Sequence, residues 1–136
     1  MPHVVADISL AMLKRAARKP GISAVHSQIE RWPIADGSFT RIVMVDALHH
    51  VIDKQATAGE LQRVLQAGGR IVIEEPDIRR VGLRIVALLE KMALMCSHFL
   101  NSDETTKLFT DEQARVTNER ERFNTWVVVE KLCFDQ

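Results

Sequence analysis

The sequence lacks the features by which several functional classes are first identified. Its eighteen basic and eighteen acidic side chains balance, so there is no broad basic surface of the kind that binds nucleic acid. Its two cysteines, Cys96 and Cys133, are far apart and do not have metal-ligand spacing. This pattern predicts two buried free thiols, no metal site and a reducing, cytoplasmic setting.

Signals for membrane insertion and export are also absent. The N-terminus has no basic segment followed by an apolar one, which a signal peptide would need. The apolar stretch of residues 81–100 is interrupted by Arg84, Glu90 and Lys91, which favours a core helix over a membrane span. At 136 residues, without repeats or linkers, we expect a single domain, residues 1–136, that buries a core.

The centre of the chain has the pattern of a strand, a helix and a second strand. Residues 42–45 are apolar without alternation, which predicts a strand covered on both faces. Asp53 is the expected cap of the following helix, whose apolar positions have helical spacing: Ala58, Leu61, Val64 and Leu65. We expect Gly68-Gly69 to end this helix, and residues 71–73 to form a second buried strand that ends at Pro76. This pattern predicts that the two strands are parallel and that the helix joins them by a right-handed crossover.

The N-terminal third predicts a similar alternation. Residues 3–7 read as a short buried strand, and Ser9 as the cap of a helix over residues 10–18. Its core face is predicted at Met12, Leu13 and Ala16. Residues 22–26 are the next strand, and Asp36-Gly37 marks a turn in the loop that follows.

The C-terminal third predicts a helix followed by a hairpin. The helix runs from about residue 78 or 81 to 99, and residues 101–112 are polar and poorly defined. Residues 114–123 and 125–132 read as antiparallel strands, with Asn124 in the turn between them. Helices that alternate with strands predict a layered α/β fold with a mostly parallel sheet and this terminal antiparallel hairpin.

Four segments, in order and spacing, resemble class I S-adenosylmethionine-dependent methyltransferases, in particular the branch of menaquinone- and ubiquinone-biosynthesis enzymes. They are residues 4–13 (VVADISLAML), 32–39 (WPIADGSF), 47–50 (ALHH) and 60–70 (ELQRVLQAGGR). The resemblance implies a Rossmann-like methyltransferase sheet, S-adenosylmethionine as cofactor and methyl transfer to a small-molecule acceptor. A helix face with Leu88, Leu89, Met92 and Met95 is best explained by core packing, although an apolar acceptor would need such a surface.

The sequence departs from this family at its start. The family begins with a strand and a glycine-rich loop that cradles the cofactor, and neither precedes residues 4–13 here. We therefore expect a truncated form in which the first strand and helix are missing. That strand would lie between residues 4–6 and 42–45, so the gap must be closed by direct pairing, by a strand from a second copy, or left as exposed edges. We expect a homodimer.

The resemblance also implies cofactor-binding residues. Asp7 ends the first strand, where a carboxylate can accept hydrogen bonds from two ribose hydroxyls; the alternative is a solvated strand end. Gln28 stands where the family has an aspartate that receives the adenine amino group, and its side-chain carbonyl can still accept. Ile29 would offer its backbone N–H to the ring, although both positions also read as plain loop. Ile8 and Asp46 complete the implied set.

His49 and His50 follow residues 42–45 at the carboxyl edge of the sheet, where open α/β sheets bind ligands. A histidine can take a proton from a substrate near neutral pH, so this pair is our candidate catalytic group. Alternatively, the pair packs beneath the cofactor or caps the next helix. Glu74 and Glu75 end the neighbouring strand, where they either shape a substrate mouth or bind nothing.

Methyl transfer from a sulfonium is an in-line displacement that depends mainly on alignment, which fits the absence of a catalytic triad. A methyltransferase with an unknown acceptor is therefore our first hypothesis. A non-catalytic α/β module that dimerises or binds a partner is the second. A nicotinamide dehydrogenase fragment is the third, and the absence of a G-x-G-x-x-G loop weakens it.

Overall fold

The computed structural model describes residues 3–76, 102–110, 112–121 and 124–133. The predicted helix from about residue 78 to 99, with Cys96, lies outside these ranges. The described elements, in chain order, are β1 His3–Asp7, α1 Leu10–Ala16, β2 Ile22–His26, β3 Phe39–Val45, a 3₁₀ turn Leu48–His50, α2 Lys54–Val64, β4 Leu65–Pro76, α3 Ser102–Leu108, β5 Ala114–Glu121 and β6 Asn124–Lys131.

The described strands form two separate sheets. β1 and β2 pair in parallel, and a second sheet has the order β3-β4-β6-β5. β3 and β4 are parallel, whereas β6 is antiparallel to both of its neighbours. The predicted α/β class and C-terminal hairpin are therefore confirmed. β1 and β3 are not paired with each other, so direct pairing does not close the expected gap.

The first unit, β1–α1–β2, has the predicted order of elements, but β1 is half-buried to exposed rather than buried. Ser9 caps α1, because its Oγ accepts a hydrogen bond from Met12 N at 3.4 Å. The helix ends at Ala16, two residues before the predicted end. Leu13 is buried as expected, but Met12 is 52% exposed, so the predicted core face is wrong at this position.

The second unit has its core between α2 and the larger sheet. Asp53 caps α2, with Ala56 N donating to its Oδ1 at 2.9 Å. The predicted apolar positions Ala58, Leu61, Val64 and Leu65 are all fully buried. Burial of this apolar face stabilises the helix by roughly 25 cal/mol per Å² of apolar surface removed from water.

The C-terminal end of α2 differs from the prediction. The helix ends at Val64, before Gly68, because Leu65 is already extended and pairs with Phe39 of β3. Gly68 has a positive φ of 73° but lies within β4. The ammonium of Lys131 donates to the carbonyls of Gln62 and Leu65 at 2.8 and 2.9 Å, and so satisfies the helix end that glycine was expected to cap.

The residues that the structure describes cover β3 on one face only. Ile42 and Met44 are buried, whereas Val43 and Val45 are 66% and 54% exposed. Successive side chains of a strand point to opposite faces, and no described element packs on the face with the two valines. The prediction of a strand covered on both faces is therefore wrong.

Two further differences lie in the C-terminal part. α3 occupies residues predicted to be undefined; Thr106 Oγ1 donates to Ser102 O at 2.8 Å, and the adjacent Phe109 is fully buried in the core. Cys133 is exposed rather than buried. None of the described helices is long and apolar enough to cross a lipid bilayer.

Candidate functional site

Asp7 stands at the carboxyl end of β1, where the chain turns into α1. The carboxylate is half-buried, and its Oδ1 accepts a hydrogen bond from Ser9 N at 2.7 Å. His26 Nε2 lies 3.0 Å from Ile8 O, which ties the ends of β1 and β2 together, while the Ile8 side chain is 67% exposed. A carboxylate offers about four lone-pair sites, so Asp7 retains capacity to accept from a ligand.

The loop after β2 carries Gln28 and Ile29, the two residues for which the family resemblance implies contacts with adenine. Gln28 is exposed, and its carbonyl oxygen accepts from Ser27 Oγ at 2.9 Å and Arg31 N at 3.4 Å. These bonds hold the backbone of the loop and leave the amide side chain on the surface. Ile29 is half-buried and packs against the core.

Asp46 begins the loop that follows β3, and its backbone is unusual. Its φ is 51°, in the left-handed region that few non-glycine residues adopt, although aspartate is among the more tolerant. Its N–H donates to Glu74 O at 2.9 Å, and its side chain is 69% exposed. The chain therefore turns sharply at the end of β3 and presents a carboxylate at the surface.

Glu75, near the end of β4, organises this loop. Its Oε1 accepts from Ala47 N at 3.1 Å and from Leu48 N at 2.7 Å. Its Oε2 lies 2.7 Å from Nδ1 of His49. One carboxylate thus binds Ala47, which precedes the 3₁₀ turn, and the first two residues of the turn, Leu48 and His49. The sequence did not predict this role for Glu75.

The two candidate catalytic histidines have different environments. His49 is 2% exposed and is held by Glu75, whereas His50 is exposed. Their rings pack with centroids 4.0 Å apart. His49 therefore lies beneath the loop in a structural position, whereas His50 lies at the surface.

Asp46, His49 and Glu75 also form a cluster of potential metal ligands. One ligand atom from each lies within 4.8 Å of the others. However, both oxygens of Glu75 already bind groups of the same loop, and the three residues leave a tetrahedral site incomplete. We therefore interpret this cluster as a hydrogen-bonded support of the loop.

A second polar cluster, which sequence reasoning did not predict, fixes the loop between β2 and β3. Glu60 and Arg63 of α2 bind each other at 2.9 Å, and Glu60 also accepts from Trp32 N at 3.0 Å. The hydrogen bond from Arg63 lowers the pKa of Glu60, burial opposes this shift, and the N–H of Trp32 adds to it. The guanidinium of Arg63 donates further to the loop at Trp32 O, Ile34 O and Asp36 Oδ1.

A cleft of about 310 Å³ separates β1 from β3. Asp7 and Arg41 are the charged residues among those lining it, and the others are apolar: Val4, Val5, Ala6, Ile29, Trp32, Phe39, Ile42, Val43, Met44, Val45, Ala47 and Leu61. The structure therefore brings Asp7 and Ile29 to one cleft. Ile8, Gln28, Asp46 and the histidine pair lie beside these positions in the chain but do not line the cleft.

Comparison of the chain with known proteins identifies a matching family and similar sequences. A family profile described as a methyltransferase domain matches residues 2–73. A demethylmenaquinone methyltransferase of Clavibacter sepedonicus is 28% identical over 133 residues, covering 92% of this chain and 54% of that protein. One from Mycobacterium sp. (strain KMS) is 38% identical over 72 residues, covering 53% of this chain and 31% of that protein. The chain thus spans about half, or less, of these curated relatives.

Solved structures show the same fold. A SAM-dependent methyltransferase from Thermotoga maritima, described as a possible histamine N-methyltransferase, has a TM-score of 0.78 at 20% identity, covering 93% of this chain and 72% of that chain. A SAM-dependent methyltransferase from Aquifex aeolicus has a TM-score of 0.74 at 16% identity, covering 96% and 69%. At these identities the likeness establishes the architecture alone.

Proposed function

The chain belongs to the methyltransferase domain family, and on that premise we propose that it is an S-adenosylmethionine-dependent methyltransferase that acts on a small apolar acceptor. The observation that carries this proposal is the family match across β1 to β4. Asp7 ends β1, and Gln28 and Asp46 lie in the loops that directly follow β2 and β3. Sheets of α/β proteins bind ligands at the carboxyl ends of their parallel strands, where these polar residues lie. The family match favours this hypothesis over the nicotinamide dehydrogenase alternative.

The chemistry of these residues fits the proposed cofactor. The carboxylate of Asp7 retains acceptor sites beyond its bond to Ser9 N, which suits a pair of vicinal hydroxyls. The exposed amide of Gln28 has a carbonyl that can accept from an adenine amino group. Ile8, Ile29 and Asp46 complete the proposed cofactor site.

When bound, the cofactor supplies an electrophilic methyl group. The protein must then align the acceptor and, where the acceptor carries a proton, remove it. We assign proton removal to a ring nitrogen of His50, whose exposure supports this role. His49 holds the loop through Glu75 and acts by positioning His50.

The acceptor to test first is demethylmenaquinone, because curated relatives carry the name of that reaction. An apolar quinone also agrees with the apolar side chains that surround Asp7 in the cleft. Turnover is measured as methyl transfer to the reduced (quinol) form of demethylmenaquinone, kept reduced by dithionite in detergent, with His50→Gln as the variant that isolates removal of the quinol proton.

The cofactor proposal is tested by calorimetric titration with S-adenosylhomocysteine. We expect Asp7→Asn to weaken binding by roughly 10- to 100-fold, because hydrogen bonds to a charged group contribute about 1.5–3 kcal/mol. The amide can still accept from Ser9 N, so the start of α1 is preserved. Glu119→Gln makes the same chemical change at an exposed position of β5 and should bind like the unmodified chain.

Equal affinity of Asp7→Asn and the unmodified chain would remove Asp7 from the site. Absence of heat from a folded sample at millimolar ligand would contradict cofactor binding by this chain.

We also propose a cytoplasmic homodimer. The exposed apolar side chains of Leu10 and Met12 on α1 support self-association, because apolar surface favours an interface. Sedimentation equilibrium should give a dimer that Met12→Glu weakens. A monomer at all concentrations would contradict it.

A further inference from the structure

Arg63 of α2 uses every hydrogen-bond donor of its guanidinium within the protein. Its Nε and Nη2 donate to the two carboxylate oxygens of Glu60. The remaining N–H groups reach the loop between β2 and β3, at Trp32 O, Ile34 O and Asp36 Oδ1. A guanidinium has about five donors, arranged in a planar fork, so none is left for a ligand. Any effect of Arg63 on a bound ligand must therefore act through this loop.

Trp32 is the residue at which this pair of side chains anchors the loop. Its N–H donates to Oε2 of Glu60 at 3.0 Å, and its carbonyl accepts from Nη2 of Arg63 at 3.1 Å. Its indole packs edge-on against Phe39 of β3, with ring centroids 6.1 Å apart. Further along the loop, Gly37 N donates to Arg63 O at 3.0 Å. The backbone and the side chain of Trp32 are thus both fixed against the larger sheet and its helix.

A closed turn connects this anchor to the residue proposed to contact adenine. Gln28 O accepts from Arg31 N at 3.4 Å and from Ser27 Oγ at 2.9 Å, and Trp32 follows directly. The side chain of Gln28 is exposed, so no surrounding core holds it in place. Hydrogen-bonded networks restrict the backbone that they join. The position of Gln28 therefore depends on where α2 holds Trp32.

The ribose end of the proposed cofactor site is held independently. Asp7 ends β1, which pairs with β2, and its carboxylate accepts from Ser9 N at 2.7 Å. Among the hydrogen bonds of the described residues, none joins the side chain of Glu60 or Arg63 to β1 or α1. A displaced loop should therefore weaken contacts with the base while it leaves contacts with the ribose in place.

We propose that Arg63, oriented by Glu60, is a positioning residue that holds the loop of residues 27–38 where Gln28 can recognise the amino group of adenine. Arg63 itself does not touch the cofactor. The inference rests on the proposed function, because it requires that the chain binds S-adenosylhomocysteine, and it adds the residue that determines selectivity for the base. It also requires that loss of the guanidinium releases the Trp32 backbone when no ligand is present.

The test compares two ligands that differ only in one group of the base. S-adenosylhomocysteine has an exocyclic amino group that can donate to the side-chain carbonyl of Gln28, whereas its deamino analogue, in which purine replaces adenine, has only hydrogen there. Calorimetric titration gives the ratio of the two dissociation constants for each protein. We expect the unmodified chain to prefer S-adenosylhomocysteine by about fivefold, the usual effect of one hydrogen bond.

Arg63→Lys is the main variant, because lysine keeps a charge for Glu60 but lacks the planar fork that binds the loop. We expect its affinity for S-adenosylhomocysteine to fall about fivefold, and its preference between the two ligands to fall below about twofold. Arg70→Lys is the matched control, since Arg70 of β4 pairs with a glutamate of β6, Glu130, instead of with the loop. This control should keep both the affinity and the preference.

Two further measurements separate positioning from a general loss of structure. Gln28→Ala removes the proposed adenine contact, so in that background Arg63→Lys should weaken S-adenosylhomocysteine binding by less than about twofold. Without ligand, backbone amide exchange at Trp32 and Gly37 should be at least about threefold faster in Arg63→Lys than in the unmodified chain.

A milder variant keeps the test decisive if Arg63→Lys does not fold, which circular dichroism shows. Asp36→Ala, at a side chain that is 80% exposed, removes one acceptor of the Arg63 guanidinium without changing the core. It should lower the preference for S-adenosylhomocysteine in the same direction, by about twofold. An unchanged preference in this variant would count against the inference in the same way.

An unchanged ligand preference in folded Arg63→Lys would overturn the inference. So would an equal loss of affinity for both ligands, which is the result expected if Glu60 and Arg63 only stabilise the fold. A lack of preference in the unmodified chain would show that Gln28 does not recognise the amino group, and would overturn the inference while cofactor binding stands. Failure of the folded, unmodified chain to bind either ligand would overturn the proposed function, and this inference with it.

Discussion

The carboxylate of Glu75 is expected to determine whether the loop after β3 keeps its form. It accepts from the N–H groups of Ala47 and Leu48 and binds Nδ1 of His49. Leu48 and His49 are 1% and 2% exposed. Truncation of Glu75 removes the acceptor of their donor groups, and water reaches these buried groups poorly. We therefore expect Glu75→Ala to be strongly destabilising.

The magnitude follows from the three hydrogen bonds. Each hydrogen bond to a charged group contributes about 1.5–3 kcal/mol. The three contributions do not add in full, because one side chain makes all three bonds. The Glu75 side chain is also 13% exposed, so water can replace some of the lost hydrogen bonds in the variant. We expect Glu75→Ala to lower the free energy of unfolding by about 3 kcal/mol. Glu75→Gln keeps an acceptor for the two N–H groups and should cost about 1–2 kcal/mol.

Urea denaturation, followed by tryptophan fluorescence and circular dichroism, measures both variants. The exposed substitution Glu119→Ala on β5 is the control and should change stability by no more than about 0.5 kcal/mol. If Glu75→Ala stays within the same range, Glu75 does not organise the loop. If Glu75→Gln is as damaging as Glu75→Ala, the bond to His49 rather than the two N–H bonds dominates.

Two further predictions concern α2. The pKa of Glu60 is lower in the folded protein than its usual value of 4.5. The bond between Glu60 and Arg63 therefore contributes its full stabilisation above pH 4.5. This stabilisation is lost as the pH falls through the lower, folded pKa. Glu60→Gln should therefore have a lower urea midpoint than the unmodified chain at pH 7, and this difference should shrink steadily below pH 4.5; a constant difference would refute the linkage. Lys131→Met removes the ammonium that binds the carbonyls at the end of α2 and should cost about 2 kcal/mol in thermal or urea unfolding. Lys14→Met, at an exposed position of α1, should be nearly neutral, and equal stability of the two variants would show that the end of α2 does not need Lys131.

Several features were predictable because their causes are local. The cap at Asp53 and the spacing of Ala58 and Leu61 are set within one helix, so α2 was found with its buried face. The bounds of β2 and the pairing of β5 with β6 were predicted from strand patterns in the same way. The predicted turn residue was wrong, because Asn124 is the first residue of β6 and pairs with Glu121. The ordered motifs also identified the methyltransferase family, and with it the edge of the sheet on which the candidate site stands.

The errors share a different cause. An apolar run shows that a strand can be buried but not which element covers it, and Val43 and Val45 are exposed because no described element packs on their face. Similarly, α2 ends before Gly68 because Leu65 pairs with β3, and the ammonium that satisfies the helix end comes from Lys131, far along the chain.

The sequence by itself determined the local elements other than α3, the order in which they alternate and the family to which they belong, since caps, periodicity and motifs act between near neighbours. Only the tertiary structure decided that Glu75 binds the loop after β3, that His49 is buried while His50 is exposed, and that a cleft separates β1 from β3. These three features depend on which distant groups come into contact when the apolar surfaces pack. Burial and hydrogen-bond satisfaction across the whole fold determine those contacts.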